Sequence, residues 1–80
     1  MHEWDAYNLF RRRRDPNLCC AVPEQRPVPP FIQGETWEFA GTIAGPTSIP
    51  LGFRPEAATE ATRLTGYYLF QAFPRLARAA

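Results

Sequence analysis

The chain has no lysine, one histidine and one serine. These scarcities remove most polar catalysis. A Ser-His-Asp arrangement needs an imidazole held between nucleophile and carboxylate, and the only imidazole belongs to His2, near an end of the chain where backbones fray. A cysteine nucleophile would need the same ring. The carboxylate pairs on offer are Glu35 with Glu38 and Glu56 with Glu60. The second pair, at i and i+4, reads as the solvated face of a helix. The expectation is a non-enzymatic protein with no catalytic residues and no cofactor.

Cysteine is also scarce. Cys19 and Cys20 do not make a disulfide framework. Adjacent Cα atoms lie about 3.8 Å apart, below the roughly 4.4–6.8 Å that a disulfide spans. With His2 they supply at most three of the four ligands of a structural zinc site, and neighbours on a strand point to opposite faces. No metal site is expected, and at least one thiol should act as a small buried hydrophobe.

Long apolar runs are missing. The longest, "YYLF", falls far short of the about 20 residues a bilayer span takes. The opening "MHEWDAYNLF" carries two acids and no basic region before its apolar residues, unlike a secretory leader. An excess of one charge is missing too. The net charge is +1, so no global field draws the chain onto nucleic acid or anionic lipid. The expectation is a soluble cytoplasmic protein with no membrane association. All nine basic residues are arginine. With many alanines and prolines this points to a GC-rich bacterial genome, which makes arginine usage weak evidence for recognition chemistry.

What the chain does have is aromatic side chains, 14% of 80 residues. Each can bury a large area, which matters in a domain that hides only about 60–65% of its unfolded surface. Residues 1–80 read as one small domain. Segments 6–13 and 17–22 read as strands around Asp15-Pro16-Asn17, good turn chemistry, with a two- or three-residue loop equally compatible. Segments 23–35 and 44–53 read as ordered Pro/Gly-rich loops, the first anchored by Phe31 and Ile32. In "TWEFAGTI", residues 36–43, Trp37, Phe39 and Ile43 alternate with Thr36, Glu38 and Thr42, a strand with one buried and one wet face.

Residues 54–65 read as a helix. Pro55 and Glu56 suit its first turn and Gly66 its stop, with Ala57, Ala61 and Leu64 as its apolar stripe. "YYLFQAF", residues 67–73, is apolar on both faces and reads as a central strand. One long helix through 55–73 is the competing reading, opposed by Gly66 in its middle. Residues 75–80 read as a frayed tail. The fold class is therefore α+β: a small, mostly antiparallel sheet in the order β-β-β-α-β with one short helix on one face.

Two motif tests fail. "GTIAGPTS", residues 41–48, has the wrong glycine spacing for a phosphate loop, no lysine, and Pro46 where a backbone donor is needed. "TGYYLFQAF" departs from the aromatic RNA-binding strand pattern at Thr65 and Tyr68. "RPVPP", residues 26–30, matches P-x-x-P but reads as a rigid loop.

The remaining feature is Arg11–Arg14. On a strand Arg11 and Arg13 face one way, Arg12 and Arg14 the other. Neutral surroundings favour pairing with acids, with Glu3, Asp5, Asp15, Glu24, Glu35 and Glu38 as candidates, over phosphate contact. So many aromatics on so little core should leave some exposed, and exposed aromatics mark interfaces. Trp4, Tyr7 and Tyr67 join Arg11, Arg12, Arg13 and Arg14 as candidate interaction residues. The expected function is binding of an unknown protein partner, or self-association as a homodimer. The alternative is a nucleic-acid-binding module using Arg11–Arg14.

Overall fold

The computed structural model describes residues 6–45 and 49–72. Strands β1 (Tyr7–Arg12), β2 (Leu18–Pro23) and β3 (Trp37–Ile43) precede helix α1 (Pro55–Thr65) and strand β4 (Tyr68–Gln71). They form one antiparallel sheet in the order β3-β1-β2-β4. This is the expected α+β order. Trp4 and the tail at 75–80 lie outside the described residues, as do His2 and Ser48.

The first hairpin is wider than either expected loop. The β1–β2 register runs from Tyr7↔Pro23 to Arg11↔Cys19, so Arg13 and Arg14 belong to the connection. A β-turn closed by the Leu18 N–H on the Asp15 carbonyl (2.9 Å) sits inside it. A two-residue loop at Pro16-Asn17 would need a type I turn in register with both strands, which splays them. The longer connection removes that conflict. Pro23 ends β2 beyond the last β2–β4 pair, Ala21↔Tyr68, where its missing N–H has no ladder partner to fail.

β3 departs from simple alternation. A bulge lies opposite Leu9/Phe10, next to Gly41 at φ 126°. The extra residue shifts the phase. Trp37 and Ile43 are both buried, but on opposite sides of the sheet, and Phe39 is 60% exposed. The expected single buried face of this strand is therefore corrected to two half-strands.

α1 begins with Pro55 in its first turn and ends at Gly66, whose φ of 94° lets its N–H reach the Thr62 carbonyl at 2.9 Å. The helix-then-strand reading holds, and the long helix does not. The expected stripe is rotated, however. Ala58 and Thr62 are buried, Ala57 is exposed, and Leu64 is 68% exposed. The cause is volume. Tyr7, Phe53, Tyr68 and Phe70 crowd the space beneath the helix, so only its smallest face fits. The Thr62 hydroxyl avoids an unmet donor by bonding the Ala58 carbonyl at 2.8 Å.

β4 is an edge strand, not the central one its composition suggests. Its two apolar faces differ: Phe70 is buried on the helix face, while Leu69 on the other face is 46% exposed. On the helix face Tyr7, Cys19, Ala21, Ile43 and Phe70 pack with Phe53 and Ala58. On the opposite face Cys20, Val22 and Trp37 pack under Ile32 of the proline-rich loop, with Phe10, Leu18 and Tyr67 around them. That loop is a chain of hydrogen-bonded turns, with Arg26 N–H on Pro23 O, Ile32 N–H on Pro29 O and Trp37 N–H on Gln33 O at 2.8–3.0 Å. Arg26 also ties it to the helix end, donating to the Thr62 carbonyl at 3.2 Å. Among the described residues no helix is long and apolar enough to cross a membrane.

Candidate functional site on the loop face

Arg11 and Arg13 turn to one side of the hairpin and Arg12 to the other. Arg11 Nε donates to one carboxylate oxygen of Glu38 at 3.1 Å, and Arg13 Nη1 to the other at 3.3 Å. Arg13 Nε also bonds the Gly34 carbonyl at 2.7 Å. Register places Glu38 opposite Arg11, so both guanidiniums converge on one acid. The side chains are 36–50% exposed, and exposed pairs of this kind contribute about 0–1 kcal/mol each. Their main effect is to hold two of the four charges.

Arg12 goes the other way. Its guanidinium carbon lies 5.7 Å from the Trp37 ring centre, within cation–π reach. Among the described residues neither Arg12 nor Arg14 has an acidic partner at ion-pair distance.

Arg12 and Trp37 form one wall of an open groove of about 450 Å³ on the loop face. Phe31, Thr36 and Tyr67 continue the wall, and Leu18 and Leu69 also line the groove. The rings hold one another edge-on. Phe31 meets Trp37 at 6.0 Å and 61°, and Tyr67 at 5.0 Å and 75°. Such contacts stabilise by about 0.5–1.5 kcal/mol beyond burial, so the wall is built before anything binds. Beside it, Phe39, Phe10, Cys20 and Leu69 form one row across all four strands, with Phe39 edge-on to Phe10 at 5.8 Å. Phe39, Phe31 and Leu69 are 60%, 40% and 46% exposed. Three of the six large exposed hydrophobics among the described residues thus lie on or beside this groove.

Two of the candidate interaction residues therefore meet here, Arg12 and Tyr67. Arg11 and Arg13 are engaged with Glu38, and Arg14 sits exposed in the hairpin connection. Tyr7 is in the core, 3% exposed, edge-on to Phe53 at 5.5 Å. It faces the helix side, so its ring is structural. Trp37, Phe31 and Leu69 were missed as site residues. Phe31 and Trp37 have the chemistry of a binding wall, but their meeting depends on how the proline loop folds back. No local spacing encodes that.

The two thiols are buried on opposite faces, at 4% and 0% exposure. Burial pushes Cys20 up to about 12, and it raises Cys19 as well, against a smaller lowering by Arg11. Both are poor nucleophiles at neutral pH. A thiol with a raised folded pKa costs no stability below its unfolded value. It becomes a liability as pH climbs from there toward the folded pKa, because only the unfolded chain ionises freely. Stability should fall between about pH 9 and 12, and a Cys20→Ala variant should lose less across that window in urea melts. Equal loss in both proteins would contradict the assignment.

Among the described residues no group of three His, Cys, Asp or Glu side chains is placed to hold a metal ion. Comparison with protein-family models, curated proteins and solved structures found no match.

Proposed function

We propose that this chain is a non-enzymatic binding module and that its loop face receives a protein partner. One observation carries the reading: a preformed aromatic groove with Arg12 laid on Trp37 at its wall and, among the described residues, no acid lining it. Tryptophan, tyrosine, phenylalanine and arginine are the residues that interfaces concentrate, and a few of them carry most of the binding energy. Self-association belongs to the same reading, with a second copy as the partner.

Nucleic acid is the second reading. Arg12 and Arg14 lack acidic partners among the described residues, and exposed Phe39 offers a stacking face. The sharing of Glu38 by Arg11 and Arg13 weighs against a four-arginine phosphate track.

The test is a pull-down from cells of the source organism with the wild-type chain and a Phe31→Ser/Leu69→Ser variant. Nuclease-resistant proteins held by the wild type and lost by the variant are the expected result. Equal recovery by both chains, or recovery abolished by nuclease, would contradict it. Light scattering at rising concentration identifies the case where the partner is a second copy.

A further inference from the structure

We infer that the groove takes an extended, proline-containing peptide segment whose neighbouring carboxylate pairs with Arg12. The inference rests on the proposed function and narrows its partner.

Geometry limits the shape of the occupant. The groove lies on a face of the sheet, and ladder hydrogen bonds run in the plane of a sheet rather than out of its face. No strand can add there by hydrogen bonding. At about 450 Å³ it accepts a drug-sized volume, room for a few extended residues. An α-helix commits its carbonyls to internal hydrogen bonds, which leaves none for a donor in the groove wall. An extended segment of the polyproline type leaves them free. It has three residues per turn and no internal hydrogen bonds, so its carbonyls stay available.

The wall chemistry fits such a segment. Aromatic-lined grooves are the usual receptors for it, because a preformed helix of this kind loses little entropy on binding. Trp37 is 5% exposed and lines the groove, yet among the described residues its indole N–H meets no acceptor. Tryptophan N–H groups in such surroundings normally have one. A ligand carbonyl supplies it. Phe31 and Tyr67 meet edge-on at 75° and Phe31 is 40% exposed, so an apolar ring surface is open to a pyrrolidine ring.

Charge complementarity supplies the second feature. Among the described residues Arg12 is the only charged one lining the groove. It is held over Trp37, and among the described residues no carboxylate neutralises it. A guanidinium placed this way accepts a bidentate carboxylate. An aspartate or glutamate close to the prolines meets it.

A random 12-residue peptide library displayed on phage tests this, selected on the wild-type chain and counter-selected on Arg12→Ala. Circular dichroism confirms that the variant is folded. Expected survivors carry prolines with an acid a few residues away. As synthetic peptides they should bind about tenfold more weakly to Arg12→Ala, the loss for one charge-assisted pair, and equally well to Leu64→Ser on the helix face. Groove-dependent survivors lacking proline or acid would overturn the inference and leave the proposed function standing. No groove-dependent survivors would overturn the inference, with the pull-down deciding the broader reading separately. Displacement of the peptides by a decathymidine oligonucleotide at low salt would place nucleic acid in the groove and overturn both.

Discussion

Replacing Phe53 with alanine should cost about 3–5 kcal/mol, the range for deleting a buried phenylalanine. Phe53 is 5% exposed and touches three other rings edge-on: Tyr7 at 5.5 Å, Tyr68 at 5.4 Å and Phe70 at 5.3 Å. Those rings come from β1 and β4, on either side of β2. Phe53 is thus the wedge that fixes the layer beneath α1. A domain of this length has about 4–12 kcal/mol in total, so the variant should sit at the edge of unfolding. Urea melts followed by circular dichroism read the effect as a lower midpoint with an unchanged slope. Phe53→Leu keeps part of the volume but loses all three ring contacts, so its loss should fall between the wild type and Phe53→Ala. A loss below about 1 kcal/mol for Phe53→Ala would show that the aromatic layer is not the core.

The neighbouring residue gives the second large effect. Gly52 has φ 99°, and a β-carbon there would overlap the Gln71 carbonyl of β4. The obstacle is backbone, so no rotamer change relieves it. The positive φ adds about 1–2 kcal/mol for any L side chain. Gly52→Ala should therefore lose roughly 3 kcal/mol or more, by lifting the Phe53 segment or peeling β4 from the sheet edge. Gly34 is the control. A β-carbon there meets nothing within 4 Å and its φ is not positive. Gly34→Ala should be neutral or stabilising by up to about 1 kcal/mol. Thermal melts of both proteins separate the two expectations. Equal behaviour would mean that the Gly52–Gln71 approach does not exist in solution.

Much of the scaffold was legible because its signals are local. Pro55, Glu56 and Gly66 mark a helix whichever elements surround it, and Asp15-Pro16-Asn17 marks a turn. The opposed directions of Arg11 and Arg12 were legible for the same reason, although the strand ends at Arg12. Arg11 and Arg13 do share one side, on Glu38, and Arg12 does turn to the other.

What failed depends on neighbours distant in sequence. The apolar pattern of "YYLF" suggests a strand buried on both faces, yet β4 is an edge strand with Phe70 buried on the helix face and Leu69 46% exposed on the other. A local run of apolar residues does not tell burial from an exposed binding wall. Leu64 was read as core from its helical spacing, but the bulky rings below admit only Ala58 and Thr62. Gly41 was the one visible sign of the bulge, and it left open which half of β3 would change face. Tyr7 could not be told from a surface aromatic without knowing that Phe53 would meet it. The groove itself was illegible, since Phe31, Trp37, Tyr67 and Leu69 come from three separate segments brought together by one loop.

The central claim is that the loop-face groove is where a partner binds. The most direct measurement is a nitrogen–proton correlation spectrum of the labelled chain, titrated with the partner that the wild type retains and the Phe31→Ser/Leu69→Ser variant loses. The account predicts shifts at the Trp37 indole N–H and at the backbone amides of Arg12, Leu18, Thr36 and Leu69, with α1 silent. Shifts confined to α1, or to Arg13 and Arg14 in the hairpin connection, would contradict it.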